Sequence, residues 1–389
     1  MNNDKLELAL ERFVRRFEEF NTKVLEEFGK TISKFDQLTP SQAHKLAQQL
    51  KNGRDIEKIL ADLERISQLS RKDIEDLLEI TAKENIAFAN TYYEAKAMDK
   101  VSYETSKQFQ DLVKAVEKTT KGEFTNLSKT TALKLLKDNG KPLYLDIKKA
   151  YNEVIDRCVL AVATGQTNYQ KAMYDTIKQL ANSGVRKIYY DNVGKRAYAR
   201  RLDSSVRMNI LDGVRQVNIG IQEQVGKEFG SNGVEISAHS PCAPDHIFIQ
   251  GQQYTKKQFN KINANLKRPI GTLNCTHFVF SIVLGVSSPS YTKKQLNQYK
   301  QESETIIEYQ GSKYTKYEAT QVQRRIETAI RQQKDLQIIA KASGNKDTIA
   351  KAQQNITNLT KEYKKFSEVA GLDTKMNRLR VVGYQRVRF

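Results

Sequence analysis

Cysteine is scarce in this chain. Its three cysteines, Cys158, Cys242 and Cys275, are odd in number and widely spread, which argues against a disulfide framework. Long apolar runs are missing too. The longest, Phe278 to Val286, falls far short of the ~20 residues needed to span a bilayer, so no membrane partner is expected. Met1 opens straight into a charged helical pattern with no signal-peptide core, and synthesis in a cytosol without export is the expectation. There is no Walker-type Gly-Lys-Ser/Thr loop and no dinucleotide glycine fingerprint. Helical carboxylate pairs suited to metal, internal repeats and low-complexity tracts do not stand out. What is present is a polar chain of 389 residues, 28% charged and 39% hydrophobic, with a mean hydropathy of -0.63. That length can bury a sizeable core in two or three domains.

The formal net charge of +19 is unevenly placed. Residues 1–100 hold 17 Lys and Arg against 19 Asp and Glu, residues 101–290 hold 27 against 16, and residues 291–389 hold 20 against 10. The basic excess belongs to the middle and C-terminal parts. Such a surplus favours a polyanion nearby, either nucleic acid or an acidic protein surface; a solubilising surface charge is the plainer alternative.

Periodicity predicts helix almost throughout residues 1–100. Leu6, Ala9, Leu10, Phe13, Phe17 and Phe20 form an amphipathic stripe, and Thr39-Pro40-Ser41 starts a second helix. A third run, Asp55 to Leu69, has Ile56, Ile59, Leu60, Leu63 and Ile66 on one face, and Ser70 is expected to cap a fourth. Beyond a polar stretch near Lys118 to Lys121, an amphipathic run from Leu143 to Thr164 ends at Gly165. Ala172 to Leu180 stops at Ser183-Gly184. Asp203 to Phe229 reads as a strong helix. Its Gly213, Gly220 and Gly226 each weaken it by ~1 kcal/mol relative to alanine, and are expected to permit close packing. Val234 to Ser237 and Phe278 to Leu284 read as strands, the second buried. Gln321 to Ala340 and Asp347 to Phe366 are helical, and Arg378 to Phe389 is a basic, strand-like tail. The expected fold class is mostly α with a central α+β module, long helices at both ends and a small sheet around residues 234–290. Residues 1–140 form an N-terminal helical docking region, 141–290 the α+β module, and 291–389 a basic C-terminal region and tail.

Three of the four histidines and two of the three cysteines fall between His239 and His277. Cys242 and His246 lie in one short loop, Cys275 and His277 in another. Two thiolates and two imidazoles suit a closed tetrahedral zinc site, with His239 as an alternative ligand. Histidines and cysteines merely hydrogen-bonded within a small core are the competing reading. A cysteine nucleophile is a third: Cys275 with His246 and Asp245, or His239, could formally supply nucleophile, base and orienter, but nothing around them matches a known hydrolase, and no catalysis is expected. Lys195, Arg196, Arg200, Arg201 and Arg207, interleaved with Tyr189, Tyr190 and Tyr198, have the composition of a groove that tracks a phosphate backbone. A solvated helix flank would look the same. Arg378, Arg380, Arg386 and Arg388 of the tail could reach DNA or an acidic partner surface, although a free terminus is often disordered.

The cluster also carries a resemblance. Ser237-Ala-His239, Pro244-Asp245-His246, Gln250-Gly251, Asn274-Cys275-Thr276-His277 and Gly285-Val-Ser287 resemble the phage minor capsid protein 2 family, relatives of the Mu F-like head morphogenesis proteins. Upstream, Gly165 with Tyr169 and Ala172, and Asp203 with Val206-Arg207, look similar as well. The similarity is specific over roughly residues 150–290. This chain departs from the family pattern at Ala243 and Thr276, where arginines are usual, and at Ile249, where tryptophan is frequent. The resemblance implies a low-copy virion structural protein, acting in the phage head interior or at the portal vertex. Its implied partners are the portal protein, major capsid or scaffold proteins, and in some cases double-stranded DNA. Related domains carry paired cysteine and histidine motifs at this place, consistent with a structural Zn2+. A DNA-binding packaging or ejection protein is the alternative function, and a zinc- or cysteine-dependent hydrolase a weaker one.

Overall fold

A computed structural model describes residues 3–125, 127–190, 196–273 and 275–387. The architecture is mostly helical with small antiparallel sheets, as the periodicity predicts. The chain starts with α1 (Asn3–Ser33), α2 (Pro40–Lys51) and α3 (Asp55–Ala95). Thr39 caps α2: its hydroxyl accepts from Gln42 N–H while the Gln42 side chain accepts from Thr39 N–H, with Pro40 in the first turn. Ser70 was expected to start a helix, yet α3 runs through it, and Ser70 is fully buried. No glycine or proline separates the two apolar runs, and Ile74, Leu77 and Leu78 continue the stripe set by Ile56 to Ile66.

Next come α4 (Lys107–Thr125), the short α5 (Leu127–Thr130), and a hairpin of β1 (Thr131–Leu136) and β2 (Pro142–Asp146). The polar stretch at Lys118 to Lys121 is part of α4, and residues 143–146 are strand rather than helix. Alternating Leu133 and Leu135 face the core, and Gly140 at φ 73 supplies the left-handed turn residue. α6 (Ile147–Ala163) and α7 (Gln166–Ser183) follow, then a second hairpin, β3 (Arg186–Tyr190) and β4 (Arg196–Arg201), and α8 (Leu202–Glu228). The tyrosines and Arg196, Arg200 and Arg201 of the basic segment are thus on strands, while Arg207 lies on α8.

β5 (Gly233–Ile236), β6 (Gln253–Thr255), α9 (Lys256–Ala264) and β7 (Val279–Ile282) surround the cluster. The chain ends with α10 (Lys293–Glu304), the hairpin β8 (Ile306–Tyr309) and β9 (Ser312–Thr315), α11 (Lys316–Ala342), α12 (Lys346–Val369) and a 3-10 turn at Met376–Leu379. The tail is not strand among the described residues. Its polar backbone is taken up by side chains of α11, α1 and α12 instead: Lys334 donates to Leu379 O (2.5 Å), Thr22 to Val382 O (2.6 Å), and Val387 N–H to Gln353 Oε1 (3.0 Å).

The chain divides into two compact units, each built from separated stretches. One comprises Met1–Glu11, Ser70–Phe124 and Arg207–Val322; the other Arg12–Leu69, Thr125–Val206 and Gln323–Phe389. The second holds the antiparallel sheet of order β2-β1-β3-β4, with α6 and α7 packed against β1. Phe17, Phe20, Phe28 and Tyr151 are fully buried there. Its core also contains ions. Arg201 donates to Asp335 (2.7 Å), Arg331 pairs with Asp203 and with Glu18 (3.0 Å), and Asn21 donates to Asp335 (3.2 Å). In the first unit, α4 and α8 approach closely where α8 carries glycine. A Cβ on Gly213 would lie 2.6 Å from Thr120 Oγ1, the close packing predicted for these glycines. The same unit holds the sheet of order β6-β5-β7.

Candidate metal centre

The cluster is assembled by β5 and β7. They pair antiparallel with Ile236 opposite Val279, and the ladder extends one step further: Ser237 N–H donates to Phe278 O (2.9 Å) and Phe278 N–H to Ser237 Oγ (2.8 Å). His239 and His277 leave the same end of the sheet from neighbouring strands. The first loop then curls back, with Gly251 N–H donating to Ile236 O (2.8 Å). Gly251 has φ 69, a left-handed conformation that favours glycine, and a Cβ there would have to displace a Leu296 methyl at 2.2 Å. Within the loop, His246 N–H donates to Ala243 O (2.8 Å) and Gln250 N–H to His246 O (3.1 Å). Two tight turns therefore aim His246 at the second loop, where Cys275 N–H donates to Thr272 O (2.8 Å). Among the described residues β7 is an edge strand, paired only with β5, and Phe280 on it is exposed, so the expectation of a buried strand holds only for Val279 and Ile282.

The four expected donors come together, but not equivalently. Donor atoms of His246, Cys275 and His277 all lie within 4.8 Å of one another. Cys275 Sγ is 3.4 Å from His277 Nδ1 and 3.9 Å from His246 Nδ1. Cys242, fully buried, meets the group through the other nitrogen of His277, with Sγ 3.7 Å from Nε2. The His239 ring lies against His277 with centroids 4.3 Å apart, and its Nε2 is 2.7 Å from Thr276 Oγ1.

Hydrogen bonding sets the tautomers. His246 Nε2 is 2.7 Å from Arg268 O, a carbonyl that can only accept, so Nε2 carries the proton and Nδ1 presents its lone pair. His277 Nε2 lies 3.3 Å from Gln250 Oε1. A ligating histidine tied through its other nitrogen to a carbonyl is the usual outer-shell arrangement of a metal site. Arg268 had no signal in the sequence, because its contribution here is a backbone carbonyl; Gln250 was visible only through the resemblance.

Burial pushes the Cys242 thiol up to about 12 and, with the neighbouring His239 and His246, drives His277 down to about 3. Burial acts on the other two groups as well, but hydrogen bonding outweighs it. Contact between Cys275 and His246 lowers the thiol and raises the imidazole. The site therefore offers one ionisable thiolate and two imidazoles, a donor set that suits Zn2+. Asp245 does not orient His246 as a triad carboxylate would. It pairs with Arg268 (2.5 Å), and its other oxygen is 3.8 Å from His246 Nε2.

The basic residues disperse. Arg201 is buried among Asp203 and Asp335, and Arg207 pairs with Glu7 (2.7 Å). Arg200 lies over the Tyr198 ring (5.3 Å), which stacks on Tyr189 (4.6 Å between centroids). Arg380 and Arg386 are exposed and Arg378 is half-buried. The side chain of Arg196 is not described; Lys195, Arg388 and Asn274 lie outside the described residues.

Among the described residues, no helix is long and apolar enough to cross a membrane. No curated protein and no solved structure matches the chain. A family model does: that of phage minor capsid protein 2 matches residues 1–368, the site and all but the last part of the C-terminal region. The chain therefore belongs to the phage minor capsid protein 2 family.

Proposed function

We propose that this chain is a low-copy structural component of the phage head, associated with the portal or the inner capsid, that performs no turnover. The family match over residues 1–368 carries this reading. Within it, residues 1–140 dock on other head proteins, residues 141–290 carry the His/Cys cluster, and residues 291–389 face DNA or a capsid partner. A bound Zn2+ at the His/Cys cluster would tie the loop after β5 to the loop before β7, stiffening a module whose core is small. That cluster supports the metal because its imidazole tautomers already point lone pairs at Cys275. Mass spectrometry of purified particles tests the main reading. A few copies per head are expected, and absence from particles that contain portal and capsid proteins would overturn it.

One observation favours a second reading, contact with packaged DNA. Tyr189, Tyr198 and Arg200 on the β3–β4 hairpin offer stacked rings beside a guanidinium, the elements used to hold a nucleic-acid backbone. Arg380 and Arg386 would add charge. Retention of the purified chain on duplex DNA at low salt, falling steeply as salt rises, is the expected result; no retention at low salt would remove this reading.

A further inference from the structure

We infer that the metal centre, granted the metal reading above, has three protein donors and an open fourth position. The donors are His246 Nδ1, Cys275 Sγ and His277 Nδ1, and solvent or a small exchangeable anion completes the shell. The argument begins with Gln250. Its Oε1 accepts from the backbone N–H of His239 (3.0 Å), which fixes the orientation of the amide. The same oxygen then faces His277 Nε2 (3.3 Å), so that nitrogen must donate and its partner Nδ1 must hold the free lone pair. Cys242 stands on the donating side, 3.7 Å from Nε2, with its own S–H directed to Ala243 O (3.4 Å). A metal on Nδ1 would sit across the imidazole from this sulfur. Cys242 can accept the ring N–H but cannot share the ion.

Each remaining neighbour is already engaged or stands away from the trio's donor atoms. His239 Nε2 is held at 2.7 Å from Thr276 Oγ1 and Asp245 Oδ1 by Arg268, while Asp245 Oδ2, buried without a hydrogen-bond partner, lies 3.8 Å from His246 Nε2, the nitrogen turned away from the trio. Among the described residues, the trio is the one group of three such donors within 4.8 Å of one another. Access is present as well: Cys275 is only partly buried and Thr276 beside it is exposed. Three protein ligands with one exchangeable position is the arrangement of an open zinc site, whereas purely structural sites are closed by four. Cys242, the donor that spacing alone places in the shell, becomes an outer-shell thiol that steadies His277.

X-ray absorption on the full wild-type chain loaded with Zn2+ should give one sulfur at ~2.3 Å and three nitrogen or oxygen neighbours at ~2.0–2.1 Å. Loaded with Co2+, it should show the charge-transfer band of a single thiolate, unchanged by Cys242→Ala, and visible bands that shift on addition of azide. Two sulfurs around zinc, or a band halved by Cys242→Ala, would overturn the three-donor set while leaving a metal site in place. Visible bands indifferent to saturating azide would overturn the open position. A wild-type chain that retains neither ion would end the metal reading itself. The wild-type measurements require no variant to fold.

Discussion

At the scale of single residues, the buried ion network of the second unit governs how stability responds to pH. Two guanidinia, Arg201 and Arg331, meet three carboxylates, Glu18, Asp203 and Asp335, leaving one negative charge in excess. Burial raises Glu18 to about 7, and the carboxylates of Asp203 and Asp335 add to the rise while Arg331 and Arg201 oppose it. Asp335 is raised by the same cause, whereas the two arginines hold Asp203 low in spite of its burial. A carboxyl whose folded pKa exceeds its unfolded value binds more protons in the folded state, so stability falls as pH rises between the two values. For Glu18 that window runs from 4.5 to about 7. His277, held at about 3 by burial, contributes the opposite trend below pH 6.5, so the Glu18 effect is read as a difference in urea unfolding: Glu18→Gln should gain stability relative to the wild type as pH rises from 5 to 7.5. Stability that climbs across this interval in the wild type and not in the variant would contradict the assignment. Arg201→Ala should cost about 3–5 kcal/mol, because it leaves Asp335 and Asp203 buried and short of a cation. A denaturation midpoint close to wild type would show that the network relaxes without it.

At the scale of elements, close packing and edge placement explain both what periodicity foresaw and what it missed. Gly213 in α8 illustrates a local cost accepted for a tertiary contact. Alanine there would gain ~1 kcal/mol of helix propensity, but its Cβ would stand 2.6 Å from Thr120 Oγ1. Overpacking of this kind costs about 1–3 kcal/mol, so Gly213→Ala should be destabilising on balance. Thr120→Ala in the same chain should recover most of the loss; a double variant no more stable than Gly213→Ala would place the strain elsewhere. The long helices were legible because their apolar stripes persist over many turns. The β1–β2, β3–β4 and β8–β9 hairpins were not. Each has strands of only four to six residues, too few for alternation to outweigh neighbouring helical patterns. β3 and β4 also carry no clear alternation: Arg186 and Arg201 sit opposite each other, and Arg201 turns inward to carboxylates that come from other elements.

At the scale of the whole molecule, the metal centre should be felt as a linkage between ligand and fold. Ions bound only by the folded chain stabilise it by about 2.7 kcal/mol at a free concentration one hundred times Kd. Chelation should thus lower Tm, and added Zn2+ should restore it. The effect should fade toward acid pH, where protons compete for Cys275 and His246. A Tm identical with and without chelator at neutral pH would remove the proposed cross-link.

The amino-acid sequence by itself determined the predominance of helix, the family, and the two short loops in which the chemical side chains are concentrated. Those depend on composition, spacing and local periodicity, which the chain carries without folding. Only the tertiary structure decided which nitrogen of each histidine faces the cluster, that Cys242 meets His277 from the far side, and that Arg201 serves the core rather than the surface. Ring orientation is imposed by acceptors such as Arg268 O and Gln250 Oε1, and burial by elements more than a hundred residues away. Neither is written in the spacing of the residues they act on.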